Sequence, residues 1–458
     1  MKNRKPKSKT AKKKKRRSLS VVNPNAAGID VGSRSHYVAI PAHCGDDTVR
    51  EFGCLTPELH EMAKWLKQNG VETVAMESTG VYWIPVAQIL EQYDIEVNLV
   101  DGRAAKNVPG RKSDVQDCQW IQELHSFGLL RAAFRPTDEM VVLRSYWRHR
   151  AELVTEASEQ IHHMQKSLEL MNLQLHKVLS DITGVSGMKI IRAIVSGERN
   201  TSVLAQMRHK SVKSSEQTII DALTGDWRQE HLFTLKQALE SYDFHQSQMA
   251  ACDQQIEQYM QQFSSQGDMD KLEGRNMGAR RKNQVHFDLR SELYRITGVD
   301  LTTIDSIQAL TAQTVISECG YDMSRFPTEG HFASWLGLCP NHEITGGKVR
   351  RRGTRKVYNR AAHALRVAAQ SLHHSKTALG AYYRRMKGRV GPSKANTATA
   401  HKLAKLIYRM LKFGMDYVDT GQEAYEQQYQ ERLLNSIRKR AKQMGYEVVA
   451  LQSGEVVS

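Results

Sequence analysis

Between residues 143 and 178, apolar side chains return at alternating spacings of four and three. The register runs Leu143, Trp147, Arg150, Val154, Ala157, Ile161, Met164, Leu168, Met171, Leu175 and Val178, with Arg150 as its one polar break. Such spacing keeps one seam of a helix facing a partner turn after turn, so the stretch is committed to a long helix packed on another. A second register supplies that partner: Leu232, Leu235, Leu239, Tyr242, Gln246, Met249, Asp253, Ile256, Met260 and Phe263. Together they predict a coiled-coil hairpin, packed on itself or on another subunit. A homo-oligomer, dimer or tetramer, built through this region is the favoured reading.

Upstream the period changes. AGIDVGSRSHYVAIPA reads as one strand and TVREFGC as a second, and residues 57–69 have helical spacing with Leu59, Met62, Ala63 and Leu66 on one face. VETVAMES is a short buried strand, WIPVAQILEQY a helix, IEVNLVD a strand, and SDVQDCQWIQELHSFG a helix with Ser113 as N-cap. Strands first and β/α alternation afterwards predict a mixed α/β sheet covered by helices. Residues 197–228 and 264–291 are polar and read as loop-rich. ITGV occurs at 182 and again at 296, read as a turn opening a helix. Either a phosphate-receiving helix N-terminus or a plain glycine turn between packed helices gives that string.

A chain of 458 residues exceeds one core, so two or three domains are expected. No apolar run is long enough for a membrane span. The six cysteines lack paired spacing, which fits free thiols in a reducing, cytoplasmic setting. Net charge is +16. The first seventeen residues carry eleven Lys or Arg and no acid, a basic arm that serves either solubility or phosphate binding. Without the arm, 54 cations face 49 acids, so local patches matter more than the total.

The strongest patch follows residue 346. Lys348, Arg350, Arg351, Arg352, Arg355, Lys356, Arg360 and Arg366 crowd nineteen positions, read as a glycine turn leading into a basic helix. So many cations with Glu343 as the one nearby acid favour a phosphate-contacting surface over a merely solvated face. GGK at 346–348 lacks the rest of a P-loop, and the His162–His163 and His373–His374 pairs lack zinc-ligand spacing.

Against this cationic background stand four acids. Asp114 and Asp117, behind Arg111 and Lys112, share one helix face. Nearby arginine pairing would explain an isolated DxxD. Asp30, however, interrupts the apolar strand GIDVG, and Glu77 ends the apolar strand VETVAMES. Four carboxylates converging on one sheet edge need cations, and hard oxygen ligands select Mg²⁺ or Mn²⁺. Such ions activate a nucleophile and stabilise a leaving oxygen in phosphodiester cleavage.

GIDVGSRSHYVAI, AMESTGVYW and GRKSDVQDCQWIQEL resemble the three blocks of the DEDD-type insertion-sequence transposases, and FASWLGLCPNHEITGGKVRRRGTRKVYNRAAHALRVAAQSL resembles their second conserved domain. The resemblance covers about residues 24–180 and 290–420. It implies a RuvC-like domain of RNase-H fold at 24–135 whose Asp, Glu, Asp, Asp map onto Asp30, Glu77, Asp114 and Asp117. Around it are expected the arm at 1–23, the coiled-coil hairpin with its insertion at 136–290, a mostly α-helical C-terminal transposase domain at 291–420, and a closing helix and tail at 421–458.

Excision and insertion of a mobile element in a bacterial cytoplasm, at the nucleoid when active, is the function the resemblance implies. DNA is then the substrate, a structured noncoding RNA the guide, and an oligomer the working form. In this family the metal site works with a serine just before a Gly-Gly turn, where this chain has Thr345. Three readings stand, in order: Thr345 is the nucleophile, Ser334 replaces it, or this copy cuts poorly. A turn residue without chemistry is the bland fourth. Competing functions are a site-specific invertase or structure-specific nuclease of the same fold, and a non-catalytic nucleic-acid-binding scaffold.

Overall fold

The computed structural model describes residues 19–78, 80–100, 113–274, 282–351, 353–355 and 357–448. The chain divides between Arg135 and Pro136 into two compact units. Among the described residues no helix is long and apolar enough to cross a membrane. All six cysteines are free thiols.

The first unit is built on a five-stranded mixed sheet: β1 (Ala26–Val31), β2 (Ser35–Ala39), β3 (Val49–Gly53), β4 (Thr73–Glu77) and β5 (Glu96–Val100). The stretch read as one strand from Ala27 onward is two. Gly32 turns the chain, its N–H donating to the Ser35 carbonyl at 3.1 Å, and any Cβ there would meet that oxygen at 2.5 Å. Spatial order is β3-β2-β1-β4-β5, with β1/β2 and β2/β3 antiparallel and β1/β4 and β4/β5 parallel. The parallel pairs need crossovers, which α1 (Thr56–Gln68) and α2 (Trp83–Gln92) supply. Leu59, Met62, Ala63 and Leu66 of α1 are buried as their spacing requires, against Ile29, Val74 and Met76 of the sheet. The opposite face, bearing Ala75 and Val100, receives Ile121 of α3 (Asp114–Ser126). Ser113 caps α3, its side chain accepting from the Gln116 N–H at 3.4 Å.

In the second unit, α4 (Asp138–Leu170) and α6 (Gln229–Met260) run antiparallel, with the smaller α5 (Val185–Val195) between them in the chain. Three contacts fix the direction: the Tyr259 hydroxyl donates to the Glu139 carbonyl, the Cys252 thiol to that of Tyr146, and Ser167 pairs with Thr234. Both registers face inward for most of their length. The first stops early, because α4 ends at Leu170; Met171 lies beyond it, and Leu175 and Val178 belong to a separate four-residue helix, Leu175–Val178. The stretch read as loop-rich between the registers carries helices at Thr201–Gln206 and Glu216–Leu223, capped by Asn200 and Ser215. Leu204, Ala205, Ile219 and Leu223 of these helices are buried, although each helix is too short to show a period. The two ITGV strings differ in role. The first leads into α5, whereas Gly298 (φ 73°) ends α7 (Leu289–Thr297) as its left-handed cap.

Arg150 and Asp253, the charged members of the two registers, meet inside the helix pair at 4% and 0% exposure. Arg150 also donates to the Asn283 carbonyl (3.2 Å), and Asp253 accepts from the His286 N–H (3.1 Å), so the pair holds the 283–286 segment against the helices. Removing one partner strands a buried charge. Asp253→Ala is therefore expected to cost about 3–5 kcal/mol, read as a lower urea midpoint, while Arg150→Met/Asp253→Leu together should recover most of it. Equal losses in the single and double variants would show that packing, not charge, matters there.

The remaining helices are α8 (Ala309–Cys319), α9 (Glu329–Trp335), α10 (Arg360–Ser371), α11 (Ala378–Val390), α12 (Pro392–Phe413) and α13 (Gly421–Gln443), with the hairpin β6 (Glu343–Thr345) and β7 (Lys348–Arg351) between α9 and α10. The basic stretch predicted as a helix thus begins as strand β7, and its described residues lie outside any helix as far as Asn359, whose side chain caps α10 by accepting from the Ala362 N–H at 3.0 Å. Gly346 (φ 56°) and Gly347 (φ 76°) explain the difference: two consecutive left-handed residues make a two-residue hairpin turn, which folds the chain back instead of starting a helix.

Candidate functional site

Gly28 positions the acids of the first unit. A Cβ on it would lie 2.2 Å from the Gln122 nitrogen and 2.4 Å from the Cys118 carbonyl, so α3 rests directly on the β1 backbone. Side chains alternate across a strand, hence Asp30 points to the same face as Gly28, toward α3. The β1/β4 register, Ile29 beside Met76, carries Glu77 alongside Asp30 on that face. On α3, Asp114, Asp117, Cys118 and Ile121 form one stripe, whose last two members are buried against the sheet. Electrostatics agrees with this placement. Burial first, and then Asp30 and Asp117, push the Cys118 thiol up to about 12. Tyr37, which faces Asp30 across the β1/β2 ladder, is raised chiefly by its hydrogen bond to Glu51, with Asp114 contributing.

The four acids therefore arrive as two pairs on one sheet face: Asp30 with Glu77, and Asp114 with Asp117. Asp114 is exposed and the other three are half-buried; Asp30, Glu77 and Asp117 engage further groups. No set of three or more His, Cys, Asp or Glu among the described residues stands close enough to share a metal ion. Like charges oppose a tighter cluster on their own. As a donor set, hard carboxylate oxygens on a common face fit a hard divalent cation. Arg111 and Lys112 lie outside the described residues.

Two further residues fix α3, and neither was legible as functional. His125 is buried near its end, where the Thr73 hydroxyl accepts from Asn98 Nδ2 (3.0 Å) and shares a hydrogen bond with His125 Nε2 (3.0 Å). Burial lowers the His125 pKa from 6.5, which favours the neutral ring. As pH falls below about 6.5 the unfolded chain takes up a proton that the folded ring resists, so stability is lost toward acid. The first unit is expected to melt at lower temperature as pH drops from about 7 to about 5.5. His125→Asn should flatten that slope; an unchanged slope would move the effect to His36, which burial also lowers.

The second set of predicted residues lies on the hairpin. Thr345 is exposed and pairs with Lys348 across the Gly346–Gly347 turn, so the hydroxyl and the ammonium leave the ribbon on one side. The ladder then slips, Ile344 opposite Val349 but Glu343 opposite Arg351, which leaves Arg350 as the extra residue of a bulge. Arg351 belongs to β7, and Arg352 and Lys356 lie outside the described residues. Arg355 donates to the Ser334 carbonyl (2.6 Å) and hydroxyl (3.2 Å), tying the base of the hairpin to the end of α9. Arg360 pairs with Glu152 at 3.5 Å. Of the predicted cationic set, Lys348 thus stands opposite Thr345 in the ladder, whereas Arg355 and Arg360 hold the scaffold.

Comparison with known proteins gives two matches. Residues 27–173 match the family model of DEDD transposases of the IS110 type, described as a transposase. Residues 300–384 match that of the transposase IS116/IS110/IS902 family. Together they cover about half of the chain, and each contains one of the two residue sets described above. None of the curated proteins compared matches the chain.

Proposed function

Because the chain belongs to the IS110 family of DEDD transposases, we propose that it excises and inserts its mobile element through a carboxylate-held divalent metal and the Thr345 hydroxyl. The observation that carries the metal half is the shared sheet face of Asp30, Glu77, Asp114 and Asp117. Strand order β3-β2-β1-β4-β5, with its single antiparallel meander followed by parallel crossovers, supports reading the first unit as RNase-H-like. Asp30 and Glu77 sit on neighbouring parallel strands, and Asp114 and Asp117 on the helix seated over Gly28. Mg²⁺ or Mn²⁺ held there would supply Lewis-acid stabilisation of the phosphodiester oxygens.

Thr345 is favoured over Ser334 because its hydroxyl is exposed at a hairpin tip, whereas that of Ser334 is half-buried and receives Arg355. Attack forms a threonyl–phosphate ester and releases the DNA oxygen that the phosphorus loses; rejoining reverses the exchange. β-Branching limits χ1 of Thr345, so the turn geometry sets its direction of attack. Lys348, on the same side of the ribbon, is placed to offset charge on the attacked phosphate.

One cleavage assay tests both halves. Asp114→Asn is expected to lower Mg²⁺-dependent strand cleavage by more than about 100-fold while leaving salt-sensitive DNA binding nearly intact. Thr345→Ala should abolish the covalent protein–DNA product and Thr345→Ser should retain it. Full cleavage by the Asn variant would refute the metal site, and an undiminished covalent product from the Ala variant would move the nucleophile to Ser334.

A structured RNA guide and an oligomeric working form complete the reading. Net charge of +16 suits two polyanions, and A-form RNA is held through shape and phosphates by surfaces such as the hairpin's. Protein purified from cells carrying its flanking DNA should retain one discrete RNA from the element's noncoding end. Recovery of heterogeneous cellular RNA alone would leave an unguided recombinase or nuclease.

A further inference from the structure

Helices α11, α12 and α13 enclose a cavity of about 280 Å³, small on the scale of ligand pockets. Lys402 of α12 lies along its wall. The ammonium is 4.6 Å from the centroid of the Tyr382 ring and 5.5 Å from that of Tyr425, and these two rings meet edge-on at 6.4 Å. Arg432 stands exposed at the rim, its Nε donating to the Gln428 carbonyl at 3.0 Å.

Two cations in a concave site call for an anion, and the acids of the surrounding elements do not provide one. Asp419 accepts from the Ala378 N–H (3.0 Å) and the Tyr417 hydroxyl (3.4 Å), and Glu426 from Gln422 Nε2 (3.0 Å). Among the described residues no carboxylate forms an ion pair with Lys402 or Arg432. Ring faces stabilise an ammonium only partly once water is removed. Consistently, burial and then the charge of Arg432 lower the Lys402 pKa. The cavity is too small for a duplex, and both tyrosine faces nearest the ammonium are already covered by it, which disfavours a stacked base. What remains is a compact, hydrogen-bond-accepting anion.

We propose that this pocket takes a single phosphate group of a nucleic-acid strand, with Lys402 and Arg432 as its charge partners and Gln428 as a neutral donor. The proposal rests on the nucleic-acid reading of the protein and adds an anchoring point remote in sequence from the hairpin. Residues 392–443, which supply both cations, fall outside the segments matched by the family.

The test is fluorescence anisotropy on the full-length chain with short single-stranded DNA, labelled at the 3′ end and carrying either a 5′-phosphate or a 5′-hydroxyl. Lys402→Met and Arg432→Gln are each expected to weaken binding about 3- to 10-fold and to flatten the salt slope by about 0.7, the signature of one lost phosphate contact. Loss confined to the 5′-phosphorylated strand assigns the pocket to a strand end; equal loss on both strands assigns it to a backbone phosphate. Lys402→Met keeps the aliphatic stem in place, and Arg432 is exposed, so the second variant decides should the first fail to fold. Wild-type affinity and slope in both variants would overturn the pocket alone. Failure of the wild-type protein to bind either strand would overturn the nucleic-acid reading with it.

Discussion

The first unit depends on the absence of one side chain. Gly28 lets α3 lie against the backbone of β1, and that contact decides where the helix begins relative to Asp30. A helix packed at ordinary side-chain distance would start farther from the sheet and carry Asp117 away from Asp30. Two anchors keep the approach from drifting: Ile121 on Ala75 and Val100, and His125 on Thr73. The burial that places the acids is thus supplied by residues that have no chemistry of their own.

Much of this was legible in the residues, and the reasons differ by element. Helix α1 and the N-cap of α3 follow from local rules, an apolar period and a serine, which need no tertiary partner. Asp30 stood out because an acid in an apolar strand has to be accounted for. Gly28 did not, since a glycine in a strand becomes informative only when the helix above it is known. The break at Gly32 was missed because both flanking segments favour β structure, and a period of two continues across a tight turn without visible interruption. Thr73 and His125 were silent for a similar reason: their meeting spans fifty-two positions and no local pattern announces it.

The second unit shows how a polar exception inside an apolar pattern is read. Arg150 was recognisable as a break in one register, and Asp253 stood unremarked in the other. Each alone is a defect; paired, they exclude most alternative alignments of α4 on α6, because any slip by one turn separates a buried charge from its partner. The heptads say that two helices pack, and the ion pair says how far along. The premature end of α4 at Leu170 was not legible, because the apolar residues beyond it continue the spacing while belonging to a turn and to a separate short helix, Leu175–Val178.

The hairpin has a consequence for how this chain can vary. Two glycines in left-handed conformation hold Thr345 opposite Lys348, and side chains on a strand change face with every residue. Lengthening or shortening the ribbon by a single position would exchange its two sides and send the hydroxyl and the ammonium to opposite surfaces. Spacing is therefore as strictly constrained here as residue type. A serine can replace the threonine with its hydroxyl kept in place, whereas an insertion in the turn keeps Thr345 opposite Lys348 only by changing the loop type.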